Sequence, residues 1–214
     1  EGYGDCHAWF NPDGLLLFIQ ESKINLFNCM FIARKLKKEN ICEYLLYMWQ
    51  IEDLIRAYNL DIDKINEQIV KPYPVDDTQK KELYDWYESL IDMMRMENVQ
   101  KSGHIQLNKN QIIQLNDFHQ LLLKSGVDAG YAAKFYHILP ILNGIRTQQP
   151  DKDISDMELC FNFLYGIIVL RMKKADISPE TLRAQTEISK FMILLNKNYI
   201  SYIQGKLKLE ADEM

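Results

Sequence analysis

No glycine occurs between Gly14 and Gly103, and no proline between Pro12 and Pro72. These residues are the main breakers of regular structure, so their absence over that stretch predicts long helices. Long apolar runs are missing too. The longest, Phe163 to Leu170, has eight residues, against roughly 20 for a membrane-spanning helix. Residues 1–14 contain no Lys or Arg ahead of the short apolar run Leu15–Ile19, so the basic opening of a secretory signal is lacking and a cytoplasmic protein is expected. Cysteine is sparse: Cys6, Cys29, Cys42 and Cys160 are widely spaced, without the paired spacing of a zinc or redox site, and they read as small buried hydrophobes. The sequence has no Walker A loop, GxGxxG, GxSxG or HExxH motif, which removes support for phosphate-cradling loops and for the common hydrolase and zinc-protease sites. No Glu-x-x-His pair is present, so a di-iron bundle is rejected.

What is there is ordinary for a globular chain. The 214 residues carry 25 basic and 30 acidic side chains, a net charge of −5, with 47% hydrophobic and 26% charged residues. This excludes disorder as the dominant state and makes nucleic acid an unexpected partner. Helices are predicted at 33–58, 61–70, 77–101, 108–125, 128–147, 155–175 and 179–206, with no strand pattern: an all-α, single-domain bundle of about six or seven helices. Residues 1–29, with three of the nine glycines and four acids against one base, read as an N-terminal extension to an all-helical domain over 30–214. Helix starts are marked by Ser155 with Glu158, Asn108 with Gln111, Ser178 before Pro179, Asp61 and Asp128, each a short polar residue suited to satisfying orphan backbone N–H groups. Gly103 and Gly126 suit left-handed positions after helix ends. Pro140 is expected to kink or break its helix near His137.

Buried stripes follow from periodicity. Leu83, Tyr87, Leu90 and Met94 repeat at helical spacing. Ile188, Met192, Leu195, Tyr199 and Tyr202 follow a heptad-like seam, which reads first as internal core and second as a homodimer face. The stretches 41–51 and 159–170 are apolar nearly all round, so both belong at the centre.

Candidate chemistry is thin. Glu39 with Glu43, and Glu88 with Asp92, are pairs four residues apart. Facing each other they could hold Mg²⁺, as in all-helical hydrolases of phosphorylated small molecules, because Mg²⁺ takes hard oxygen ligands. Surface ion pairs (Glu52 with Arg56, Asp92 with Arg95, Glu39 with nearby lysines) are the plainer account. Glu52 and Asp53 interrupt the apolar run YLLYMWQIEDLI, and a carboxylate buried there must be hydrogen-bonded. An aromatic ligand pocket could be built from Tyr44, Tyr47, Trp49, Trp86 and Tyr87, with Glu52, Asp53 and His137 beside it, although aromatic stripes are more often core. His119 reads as a helix-face residue. The basic run Arg34, Lys35, Lys37 and Lys38 lies near a predicted helix N-terminus, which the helix dipole disfavours. Either that helix begins upstream, or acids such as Glu210, Asp212 and Glu213 lie near. The favoured reading is a non-catalytic protein acting through protein–protein contacts, with itself as one candidate partner, no cofactor and no membrane. The Mg²⁺-dependent hydrolase is the alternative.

The segment MFIARKLKKENICEYLLYMWQIEDLIR, residues 30–56, resembles the opening of an uncharacterised helical family of Bacteroidetes, most closely from Glu39 to Asp53. The resemblance implies an all-α fold and a usual start near Met30. It implies no activity, cofactor or catalytic residue.

Overall fold

The structure is a computed structural model that describes residues 29–149 and 151–209. The regular elements among them are α1 (Cys29–Glu39), α2 (Ile41–Ala57), α3 (Ile62–Ile65) running into a π-helical turn (Asn66–Val70), α4 (Asp77–Met96), α5 (Gln106–Ser125), α6 (Ala129–Thr147), α7 (Asp156–Met172) and α8 (Pro179–Ile203). The all-α expectation holds, with eight helices among the described residues. Residues 1–28, including Cys6 and His7, and the acids Glu210, Asp212 and Glu213 lie outside them.

One predicted helix, 33–58, is two. The chain breaks at Asn40, whose extended backbone (φ −151°, ψ 90°) lets its side chain accept the Glu43 N–H. Asn40 and Glu43 thus have the spacing of a capping box, a signal masked by the apolar and charged residues on either side. The first helix begins upstream at Cys29, so Lys37 and Lys38 fall in its last turn, where cations complement the dipole. The start expected at Asn108 is also displaced. The helix α5 opens at Gln106, and Asn108 sits fully buried in its first turn. Pro140 does not break α6, which runs from Ala129 to Thr147 around it.

The other caps follow the sequence. Asp61 accepts from Lys64 N at 3.1 Å, Asp128 from Tyr131 N at 2.9 Å, Ser155 from Glu158 N at 3.2 Å and Ser178 from Thr181 N at 3.1 Å. Each replaces an orphan helix-terminal bond, an effect of about 1 kcal/mol. Gly103 (φ +86°) and Gly126 (φ +64°) take the left-handed backbone expected of them.

The described residues divide into two compact units, one up to Asn110 and one from Gln111 onward. In the first, α2 is the centre: Ile41 to Trp49, Ile51, Glu52 and Ile55 are all buried. Across it, α4 buries Leu83, Tyr87, Leu90, Ile91 and Met94. Helix α1 packs against both. In the second unit α6, α7 and α8 pack pairwise. Helix α7 buries Leu159, Cys160, Phe161, Leu164, Ile167 and Ile168 but leaves Glu158, Gly166 and Leu170 exposed, so the stretch 159–170 is not central all round, and α8 contributes Ile188, Phe191, Met192 and Leu195. The seam on α8 is therefore core over most of its length. Its last two members, Tyr199 and Tyr202, flank Phe118 with ring centroids at 5.3 and 5.1 Å. His119 is buried among Tyr131, Phe135 and Phe191, its Nδ1 2.6 Å from the Tyr131 hydroxyl. Burial pushes this imidazole down to about 4, so it is neutral at pH 7.

Candidate functional site

The chemistry-bearing side chains of the first unit gather at two places. At one, Glu52 is fully buried on α2. Its Oε1 accepts the Ile105 N–H at 3.1 Å and the Asn108 Nδ2 at 2.8 Å, and its Oε2 lies 2.5 Å from His104 Nδ1. The imidazole stacks on Trp49, one turn before Glu52, with centroids 3.8 Å apart and planes at 11°. One turn after Glu52, Arg56 donates to the carbonyls of Val99 and Gly103 and pairs with Asp53 at 2.6 Å. Three side chains at successive turns of one helix thus hold the connection between α4 and α5. The buried carboxyl group has what it requires, three polar partners on its two oxygens. A carboxylate orienting an imidazole is also half of a nucleophile-activating triad. Here the second half is missing: no Ser, Thr or Cys is hydrogen-bonded to the His104 ring among the described residues. Through the Ile105 N–H and Asn108 bonds to Glu52, the cluster clamps the first turn of α5.

The second place is an open groove of about 220 Å³ on the same unit. Its floor is Met30 and Ala33 of α1, Tyr44 and Met48 of α2, and Trp86, Leu90 and Met93 of α4; Leu107, at the start of α5, closes one side. Arg34 and Lys37 stand on its rim. Lys37 Nζ lies 5.6 Å above the Tyr44 ring, and Arg34 pairs with Glu82 at 3.3 Å across an exposed contact.

The predicted site residues separate along these lines. Tyr44 and Trp86 line the groove. Tyr47 and Tyr87 are buried core. Trp49 and Glu52 belong to the clamp, while Asp53 is exposed and paired with Arg56. The ion pair expected between Glu52 and Arg56 is therefore made by Asp53, because Glu52 points inward to the backbone of the next connection. His137, in the second unit, is exposed and 3.3 Å from Glu187 on the surface.

The four carboxylates of the metal alternative do not form a ligand set. Glu39 pairs with Lys35 at 3.8 Å, and Asp92 with Arg95 at 3.6 Å, both in the open. Glu88 is exposed on α4. Glu43 is buried, its Oε1 without a hydrogen-bond partner, and burial pushes its carboxyl up to about 8. It is therefore predominantly protonated at pH 7. Among the described residues no group of three or more His, Cys, Asp or Glu side chains is placed to hold an ion.

Sequence reasoning missed His104 and Asn108, which lie more than 50 positions from Glu52. It also missed the methionines of the groove, because each belongs to a different helix.

Compared with known proteins, residues 30–206 match a family described as Domain of unknown function (DUF4924). No curated protein and no solved structure matches the chain. No helix among the described residues is long and apolar enough to cross a membrane.

Proposed function

The chain belongs to this family of unknown function, which assigns no activity, and from the geometry we propose that it is a non-catalytic cytoplasmic protein that works by docking an acidic, amphipathic segment of a partner protein. The observation that carries this reading is the groove between α1, α2 and α4. Three methionines, Met30, Met48 and Met93, lie on its floor with Tyr44 and Trp86. Methionine and aromatic floors adapt to apolar side chains of several shapes. On the rim, Arg34 is paired with Glu82, while Lys37 has no carboxylate partner among the described residues, in a chain that is acidic overall. A volume of about 220 Å³ falls below the roughly 300–1,000 Å³ of small-molecule pockets and suits one or two anchor side chains of a helix.

The test is fluorescence anisotropy with a labelled peptide about five helical turns long, leucine along one face and glutamate along the other. A second peptide carries lysine in place of glutamate. The acidic peptide binds, the basic one is at least about tenfold weaker, and Lys37→Glu weakens the acidic peptide by about tenfold. Equal binding of both peptides, or none, overturns the reading. A concentration-dependent mass that Met93→Glu abolishes, with no peptide bound, overturns it in favour of a second copy of the chain as the occupant.

A further inference from the structure

Helix α7, in the second unit, has a core side and an open side that are both uncharged. Residues 159–170 contain no charged side chain, a run of about 18 Å, although charged residues make up 26% of the chain. On the open side Gly166 and Leu170 are exposed, and Asn162, Phe163 and Val169 are half-buried. At Phe163 the surface dips into a cavity of about 540 Å³ along α6, from Pro140 past Gly144, with Ile141, Ile145 and Ala184 on its walls. The uncharged surface is therefore wider than one helix. A contiguous apolar surface of this kind marks an interaction site.

Gly166 stands at the middle of the open side. Its φ is not positive, and a Cβ placed there would meet nothing within 4 Å, so nothing within the chain itself calls for glycine. Glycine is a poor helix former. What it offers on an exposed helix face is the close approach of another backbone.

The two ends of this face carry opposite charge. Glu158 lies eight residues before Gly166, and Lys173 and Lys174 lie seven and eight residues after it. All three are exposed, and none has an ion-pair partner among the described residues. The face is self-complementary in one orientation. Two copies of α7 running antiparallel and crossing at Gly166 set Glu158 against the partner's Lys173 and Lys174, twice by symmetry, and Phe163 against the partner's Val169. A parallel pair would set Glu158 against the partner's Glu158. A partner of a single charge sign would satisfy only one end.

We propose that the chain forms an isologous dimer through α7, with the two-fold axis passing at Gly166. The face belongs to the second unit and does not use the groove at Tyr44. It is small, so the dimer is weak, with a Kd of about 10–100 µM.

Sedimentation equilibrium of the full chain from about 1 to 500 µM tests it and shows a monomer–dimer equilibrium. Gly166→Leu favours the helix within one chain and holds two backbones apart. It weakens the dimer at least about tenfold, while the melting temperature at about 1 µM, where the chain is monomeric, does not fall. Glu158→Lys weakens the dimer at least about threefold at low salt, and adding Lys173→Glu and Lys174→Glu restores it. A monomer throughout that range, undiminished association of Gly166→Leu, or swapped charges that restore nothing overturns the proposal. Growth beyond a dimer overturns it too, because an isologous face closes on itself. So does an association that Met93→Glu abolishes, since that belongs to the groove of the first unit.

Discussion

Replacing Glu43 with glutamine removes the pH dependence that this buried acid imposes on stability. Its carboxyl is raised from 4.5 to about 8 by burial. Between those values the folded chain holds a proton that the unfolded chain has released, so stability falls as pH rises. Each unit is about 1.36 kcal/mol, and the whole interval amounts to about 5 kcal/mol. His119 acts in the opposite direction, since burial lowers it from 6.5 to about 4. Its contribution is present above pH 6.5 and lost as pH falls toward 4. The two effects oppose each other in the parent protein between pH 4.5 and 6.5. Subtracting the Glu43→Gln variant from the parent cancels His119 and leaves Glu43 alone. The assay is urea unfolding of both proteins followed by circular dichroism from pH 4.5 to 8.5. The parent loses ground to the variant steadily, by about 2 kcal/mol between pH 6.5 and 8, the interval above the histidine's range. A difference that does not vary with pH refutes the reasoning, because it would mean that Glu43 is solvated and ionised in the folded chain.

Three further outcomes are expected. Glu52→Ala leaves the Ile105 N–H, Asn108 and His104 without their common acceptor and destabilises by about 3–5 kcal/mol in urea unfolding, with Glu52→Gln milder; a loss below about 1 kcal/mol contradicts the clamp. Asn40→Ala removes the acceptor for Glu43 N–H and lowers stability by about 1 kcal/mol in the same assay. Cys160 is fully buried and its thiol is pushed well above the usual range, so iodoacetamide at pH 8 leaves it unmodified in the folded protein and labels it after denaturation, as read by mass spectrometry.

Local features of this protein were legible because they depend on residues close in the chain. The caps at Asp61, Asp128, Ser155 and Ser178 each bond a backbone N–H three positions away, and the stripe on α4 needs only the helical period. The all-α class follows from the same short-range rules, and the expectation of an uncharacterised family agrees with the match over residues 30–206. Pro140 was visible as an anomaly, but not the cavity it lines, since that requires Phe163 and the start of α8 as well.

Hydrophobic spacing and capping chemistry by themselves determined that this chain forms amphipathic and all-apolar helices, and where most of them begin. Tertiary packing alone decided that Glu52 faces His104 while its neighbour Asp53 faces water, that Glu43 loses its charge, and that grooves open at Tyr44 and at Gly144. A helix turns by about 100° per residue, so adjacent acids can meet a protein interior and bulk solvent respectively. Which one is buried depends on the partner helix, and that partner lies beyond the reach of any local rule.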